Sequence, residues 1–229
     1  MESPASPTAR ALLALAGASH AARPLVTEDA DVLDKGKCEA EGFYAHLKPS
    51  GFDASKGWTL QGSCGIGGNT QAILAYSRAR SGGETAQGLL LGGKTAIITR
   101  EGEGLGLTLA WGLTGVKAQG SSFEHEQTYL NLVATREIAA SWTAHANLGW
   151  VRSESADANS TTWNLAIEKS LREGLDVVGE VYGDDRSKPW VGTGLRWSAS
   201  DRLSLNASVA VQNDTPRLRL WTVGFKYAF

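Results

Sequence analysis

The sequence predicts an all-β fold, a transmembrane antiparallel up-and-down β-barrel of about 12 strands. Apolar residues occupy every second position of stretches such as 203–211, which is the pattern of a strand with one apolar face. Such stretches run for about ten residues or more, enough for a tilted strand to cross an apolar band about 25 Å tall. The chain also ends on an alternating aromatic series, with Phe225, Tyr227 and Phe229 on one face.

The alternation divides the chain into about twelve predicted strands. They span residues 37–48, 57–66, 69–79, 85–98, 104–116, 125–135, 141–152, 160–170, 174–183, 189–198, 201–212 and 217–229. All 6 prolines lie outside the interiors of these strands, as the need for backbone N–H donors requires.

The connections between these strands alternate in length, and the odd-numbered ones are polar and mostly longer. Outer-membrane barrels have short periplasmic turns and longer external loops, and an even strand number leaves both termini on one side. We therefore expect the outer membrane of a Gram-negative bacterium, with both termini periplasmic. Aromatic residues are expected at the two membrane interfaces. They are Tyr44, Trp58, Trp150, Trp163 and Trp221 near the external rim, and Trp142, Trp197, Tyr227 and Phe229 near the periplasmic rim.

The N-terminal part divides into two pieces. Residues 1–21 have the order of a secretory signal peptide, with a basic residue, an apolar run and a small-residue cleavage site, so cleavage is expected near Ala21 or Ala22. A flexible tail or an incorrect start codon is the alternative. Residues 22–36 then form an N-terminal extension that could plug the lumen, and residues 37–229 form the barrel.

Cys38 and Cys64 are the 2 cysteines of the chain. A hairpin centred near residue 51 makes them cross-strand neighbours, and an exported protein reaches a compartment in which such a pair oxidises. The sequence therefore predicts a disulfide between them.

Polar side chains at the positions opposite the apolar face are expected to line the lumen. The candidate pathway residues are Lys94, Asn131, His145, Asn164, Glu168, Asp176, Glu180, Tyr182, Arg196, Arg202 and Asn206. Their charges have both signs, which predicts ion pairs across the lumen. The fifth strand presents small residues from Gly106 to Thr114 to the same lumen, so something must fill the space beside this bare wall. The extension is one candidate, because its acidic residues from Glu28 to Asp34 could dock on lumen arginines.

Other chemistry has little support in the sequence. The balance of 22 basic and 24 acidic residues indicates no nucleic-acid partner. Glu124, His125 and Glu126 are adjacent in a strand and point to opposite faces, so they cannot converge on a metal ion. No cofactor is expected. A lipid hydrolase would need a serine, a histidine and an acid or amide at the lipid-facing rim, whereas His145 is expected in mid-lumen.

The start of the predicted mature chain resembles a family of outer-membrane proteins grouped by phenol meta-pathway degradation or as transporter-like barrels. Its members open with an Arg-Pro-Leu-x-Thr-x-Asp-Ala-like segment, followed by a cysteine and an acidic residue on the first strand and a second cysteine on the next. The matching residues here are Arg23, Pro24, Leu25, Thr27, Asp29, Ala30, Cys38, Glu41 and Cys64. The resemblance implies an outer-membrane barrel and supplies no catalytic residues.

These observations predict a non-enzymatic channel that passes small organic molecules across the outer membrane. The expected partners are outer-membrane lipid, lipopolysaccharide, the small organic solute and the barrel-assembly machinery, which would read Phe225, Tyr227 and Phe229. A non-conducting structural or surface barrel is the second interpretation. An outer-membrane lipid hydrolase and a secreted soluble β-barrel binder remain as further alternatives.

Overall fold

The computed structural model describes residues 26–118 and 120–229, so the predicted signal peptide and Arg23 to Leu25 of the family-like motif lie outside the described residues. Twelve strands follow one another along the chain. They are β1 (Cys38–Pro49), β2 (Ser55–Gly67), β3 (Thr70–Ser81), β4 (Glu84–Ile98), β5 (Gly106–Ala118), β6 (Glu124–Ala139), β7 (Trp142–Ser153), β8 (Ala158–Arg172), β9 (Leu175–Asp184), β10 (Trp190–Ser198), β11 (Leu203–Gln212) and β12 (Leu218–Ala228).

The strands form one closed antiparallel barrel in which each pairs with the next and β12 returns to β1. The predicted fold class is therefore confirmed. At the seam, the Phe229 backbone N–H donates to the carbonyl of Cys38 at 2.9 Å, and the Cys38 N–H donates back to Phe229 at 3.2 Å. We call the rim that holds this seam the terminus rim, and the opposite one the far rim. None of the described residues belongs to a helix long and apolar enough to cross a membrane.

The strand bounds agree with the predicted ones to within a few residues, and the largest difference is at the end of β6. The prediction ended this strand at residue 135, whereas the ladder continues to Ala139. A bulge between Glu137 and Ala139 keeps the pairing with β7 intact, so the stretch assigned to a connection belongs to the sheet.

Two connections differ from the predicted alternation of lengths. The predicted loop between β3 and β4 is a two-residue turn at Gly82 and Gly83, because both glycines adopt positive φ and Ser81 pairs directly with Glu84. The connection between β4 and β5, predicted to be short, runs from residue 99 to 105. Its Arg100 turns toward the lumen, as described below.

The outward face of the barrel is apolar and aromatic. The tryptophan side chains at positions 58, 150 and 221 point outward near the far rim, and those at 142 and 197 near the terminus rim. Gly42 has no side chain and lies under the ring of Phe225, so that a Cβ at this position would lie 2.5 Å from the ring. The last strand thus packs its aromatic series onto the first one.

The inward face carries two larger apolar clusters and a third that consists of Ala166 and Val178. One of the larger clusters lies in the far-rim half of the lumen and consists of Phe43, Ala45, Leu47, Ala79 and Ala86, with Val116, Trp190, Leu218 and Leu220 packed against it. The other lies deeper and joins Ala30 of the N-terminal extension to Ile73, Ala75, Leu90, Ala110, Tyr129 and Val133. Polar and charged side chains occupy the remainder of the lumen, toward the terminus rim.

Candidate functional site

Residues 26–36, which we call the lumen segment, lie inside the barrel. The segment enters at the terminus rim, where the Gly36 N–H donates to the carbonyl of Gly65 at 2.9 Å. The Leu33 N–H donates to Gln71 Oε1 at 2.9 Å. The far end of the described segment reaches Glu180 in the middle of β9, whose Oε2 accepts from the backbone of Val26 and Thr27, each at 2.9 Å.

The central part of the segment is held by side chains of β5, β6 and β7. The Glu28 N–H donates to Asn147 Oδ1 at 2.8 Å, and Asn147 Nδ2 donates to the Glu28 carbonyl at 3.0 Å. The Ala30 N–H donates to Thr135 Oγ1 at 2.9 Å, and Thr108 Oγ1 donates to the Ala30 carbonyl at 2.6 Å. These contacts satisfy the backbone of the segment, as burial requires.

Two acidic residues of the segment form ion pairs with the barrel. Lys94 Nζ lies 3.0 Å from Asp29 Oδ1 and donates to the Asp29 carbonyl at 2.6 Å. Arg100 makes a bidentate pair with Asp31, at 2.9 Å from Nε and 2.6 Å from Nη2. The prediction was that the acidic residues dock on lumen arginines. In the structure the cations are instead a lysine of β4 and an arginine of the β4–β5 connection.

Glu28 is buried among these groups, with an exposed fraction of 3%. Its Oε2 has no hydrogen-bond partner among the described residues. Burial raises the pKa of Glu28 from 4.5 to about 7, against the opposing effect of Lys94. Burial also acts to raise the pKa of Asp29, but Lys94, together with Lys226 and His145, outweighs it and holds that pKa well below its ordinary value. Hydrogen bonding to Asp31 raises the pKa of Arg100.

The bare wall of β5 is filled from two sides. A Cβ on Gly106 would lie 3.1 Å from the Cβ of Ala30, so the lumen segment packs against this end of the wall. Further along, the ring of Tyr129 lies over Gly112, where any side chain would collide with it. The missing volume of the glycines is therefore occupied by protein.

The remaining lumen charges pair along the wall. Arg196 of β10 donates to Glu168 of β8 and to Asp176 of β9, with a distance of 3.0 Å from Nη2 to Asp176 Oδ2. Lys226 of β12 lies 3.0 Å from Glu39 and 3.6 Å from Glu41 of β1. The sequence suggested pairs across the lumen, but both clusters join strands that are next to each other or one apart, because these residues are close in the barrel register.

A cavity of about 340 Å³ remains between the lumen segment and these clusters. Its lining is polar and carries both signs of charge. The lining includes Asp29, Asp31, Glu39, Glu41, Gln61, Gln71, Lys94, Arg100, His145, Glu168, Arg196 and Lys226. The cavity suits a small polar or weakly charged molecule better than a strongly charged one.

The other candidate pathway residues have varied surroundings. Thr135 Oγ1 accepts from the Ala30 N–H and shares a second hydrogen bond of 3.0 Å with His145 Nδ1. Asn164 donates to Asn147 at 3.4 Å. Asn206 is buried, and neither of its side-chain polar atoms has a hydrogen-bond partner among the described residues. Asn131 also faces the lumen, and its Oδ1 has no hydrogen-bond partner among the described residues.

Four of the eleven candidates line the cavity, namely Lys94, His145, Glu168 and Arg196. The other seven do not, and two of these seven lie near a rim. Tyr182 stacks on Trp190 toward the far rim, with ring centroids 6.0 Å apart. Arg202 precedes β11 and is exposed in the turn at the terminus rim, because that strand begins at Leu203. Sequence reasoning missed Tyr129 and Trp190, although strict alternation from Asn131 and Arg196 places both on the lumen face.

The disulfide lies outside the lumen. Cys38 and Cys64 are bonded across β1 and β2 at the terminus rim, on the outward face, as predicted from the hairpin register. The chemistry of the lumen therefore involves no thiol among the described residues.

The fold and its polar lumen define a twelve-stranded barrel of the outer-membrane type. The family described as uncharacterised conserved protein UCP029691 matches residues 9–229, and the chain belongs to this family. A sequence comparison with curated proteins finds no match.

Several solved barrels share the fold. The KdgM porin has a TM-score of 0.57 at 8% identity, over 82% of this chain and 99% of its own. The NanC porin has a TM-score of 0.56 at 8% identity, over 82% and 98% of the two chains. An active-site mutant of outer membrane phospholipase A from Escherichia coli has a TM-score of 0.51 at 12% identity, over 95% and 98%.

Proposed function

We propose that the protein is an outer-membrane channel for small organic molecules whose lumen segment obstructs the path. The observation that carries this proposal is the cavity of about 340 Å³ that borders the segment and the polar wall. Most of the contacts that hold the segment are hydrogen bonds and ion pairs, and in an open lumen water replaces the hydrogen bonds at modest net cost. Its release would join the cavity to the space that the segment occupies.

The membrane location and orientation belong to the same proposal. The alternating apolar face, the two aromatic girdles and the likeness to porins support placement in the outer membrane of a Gram-negative bacterium, with the terminus rim in the periplasm. Lipid, lipopolysaccharide and the barrel-assembly machinery are the proposed partners. The resemblance to the phenol meta-pathway family remains a hypothesis about the solute, and no catalysis is proposed.

Deletion of residues 26–34 tests the role of the segment. We expect the truncated barrel to pass small neutral solutes in liposome swelling at least several times faster than the parent, because the strands retain their pairing. If neither protein passes solute, the transport proposal is wrong.

A reversible crosslink provides a sharper test. The Cβ positions of residues 30 and 106 would lie 3.1 Å apart, close to the separation that a disulfide needs after a small shift. Ala30→Cys with Gly106→Cys should therefore lock the segment and abolish flux when oxidised. Reductant should restore the flux, whereas the parent with and without reductant controls for its native disulfide. Equal flux in the locked and reduced forms would exclude the segment as the obstruction.

The apolar cluster of the far-rim half favours a second candidate, a non-conducting barrel. Phe43, Leu47 and Trp190 contribute large side chains to this cluster, so the path is narrow there even without the segment. Phe43→Ala with Leu47→Ala in the truncated barrel distinguishes the two candidates. If the protein is a channel, this change raises the solute flux. If the cluster serves only stability, the change lowers the stability of the barrel and no solute passes.

A further inference from the structure

Five basic side chains form a continuous patch on the outward face at the far rim. They are Lys48 of β1, Lys56 of β2, Arg78 and Arg80 of β3 and Arg219 of β12, and all are exposed. We call them the basic patch. The four strands are neighbours in the barrel, so the patch extends over about 15 Å at the usual strand spacing of about 4.8 Å.

The register places like charges directly opposite each other within the patch. Lys48 pairs with Arg219, and Lys56 pairs with Arg80. Directly opposed cross-strand residues on one face have Cβ atoms about 5 Å apart, and like charges at this distance are destabilising. This arrangement becomes favourable when an anion lies between the cations.

The part of the chain that the structure describes supplies no such anion. No ion pair among the described residues involves any member of the basic patch. Two other basic residues of the same rim do have acidic neighbours, since Arg152 lies 3.5 Å from Glu154 and Lys188 lies 3.9 Å from Asp214. The basic patch lacks such neutralising contacts.

The outward face below the patch is aromatic and then aliphatic. The ring centroids of Trp58 and Tyr76 lie 5.5 Å apart, and those of Trp221 and His46 lie 5.2 Å apart. Beneath these rings the outward face is aliphatic, with Leu60 and Leu74 exposed by 52% and 57%. Cations above aromatic rings and aliphatic side chains match a phosphorylated headgroup above acyl chains along the membrane normal.

We propose that the basic patch binds a phosphorylated glycolipid of the outer leaflet, the lipid A part of lipopolysaccharide, through its phosphate groups. Cations spread over about 15 Å suit a headgroup with several phosphates better than a phospholipid with one. The inference rests on the proposed location and orientation, which put the far rim outside.

The test uses the full barrel, folded in detergent, and native mass spectrometry with lipid A as the probe. We expect the parent to bind lipid A with both phosphates at least ten times more tightly than the same lipid without phosphates. Lys56→Gln with Arg80→Gln, and Lys48→Gln with Arg219→Gln, should each lose most of this preference. The matched control, Arg186→Gln with Lys188→Gln on the same rim, should keep it.

A stability measurement shows whether each variant is folded. Since each patch variant removes a like-charge pair, its lipid-free barrel should unfold at the same temperature as the parent or at a higher one. The proposal is overturned if the parent shows no preference for phosphates, if the control loses as much binding, or if millimolar inorganic phosphate displaces the lipid. Solute flux is measured separately, so lipid binding without flux contradicts only the transport proposal, and flux without binding contradicts only this one.

Discussion

At the scale of single residues, Glu28 is a buried acidic side chain close to a lysine that already forms an ion pair with another acid. Lys94 pairs with Asp29 at 3.0 Å, which leaves Glu28 Oε2 without a hydrogen-bond partner among the described residues. Nearby Asp29 and Glu41 add negative charge and favour the protonated form of Glu28, as burial does. Proton binding at this position therefore stabilises the docked segment.

The sign of the resulting pH dependence follows from the two pKa values. The Glu28 pKa is about 7 when docked and has its ordinary value of 4.5 when released into water. Stabilisation by the proton is complete below pH 4.5 and is lost as the pH rises to about 7, a difference of about 3 kcal/mol. Asp29, whose pKa is lowered, titrates below this window.

We therefore expect faster solute flux at pH 8 than at pH 5.5 in the parent. Glu28→Gln, which resembles the protonated acid, should give slow flux at both pH values. Asp34→Asn, an exposed position of the same segment, should behave like the parent. A parent whose flux is equal at both pH values would contradict this role of Glu28.

At the scale of elements, the lumen segment and β2 approach each other at Gly65. The backbone of Leu33 and Asp34 occupies the space where a Cβ of this glycine would lie. The Gly65 N–H also donates to the carbonyl of Lys37 at 2.9 Å. A side chain here cannot be accommodated without moving the segment away from the wall.

Gly65→Ala should therefore undock the terminus-rim end of the segment and raise solute flux. Gly62→Ala lies on the same strand with open space around the new Cβ, so its flux should equal that of the parent. Accessibility of a cysteine at position 33 to a water-soluble maleimide gives an independent measurement. Protection of that cysteine in the Gly65→Ala barrel would contradict the steric argument.

The last strand offers a second prediction at this scale. Phe229 is exposed by 65% and stacks near Tyr227 with ring centroids 6.3 Å apart, while its backbone closes the seam with Cys38. Phe229→Ala removes the ring and leaves these backbone bonds. If the ring is read during insertion, outer-membrane accumulation falls while export across the inner membrane is unchanged. Equal membrane yields after fractionation would contradict a role of the ring in assembly.

Much of this architecture could be predicted from sequence, because each strand carries its own signal. The period of two assigns Glu168, Glu180 and Arg196 to the lumen face without knowledge of their neighbours. The partners of these residues depend on the barrel register, which local alternation does not encode. The docking of Val26 and Thr27 on Glu180 could not be predicted either, because irregular backbone has no period that assigns its residues to a face.

At the scale of the whole molecule, the barrel is closed by three kinds of bond at one rim. The seam hydrogen bonds join β12 to Cys38, the Cys38–Cys64 disulfide joins β1 to β2, and the Lys226 cluster joins β12 to β1 inside. These contacts lie where the first and last strands of the chain meet.

Loss of the disulfide should weaken this closure. The bond links residues 26 apart in sequence, and a loop of this length stabilises by about 3 kcal/mol in the chain-entropy model. Cys38→Ala with Cys64→Ala should lower the free energy of unfolding by about this amount, measured by urea denaturation in lipid vesicles. An unchanged midpoint, or two free thiols in the parent isolated from the envelope, would contradict the prediction.

The placement of the lumen segment also fixes an order of events during folding. Its contacts involve β3, β4, β5, β6, β7 and β9, and the contact of Val26 with Glu180 joins residues 154 apart in sequence. Contacts between such distant residues form late, because most of the chain must be in place before they can be made. We therefore expect the wall to form before the segment docks on it, so that a newly folded barrel first lacks the obstruction that the segment provides.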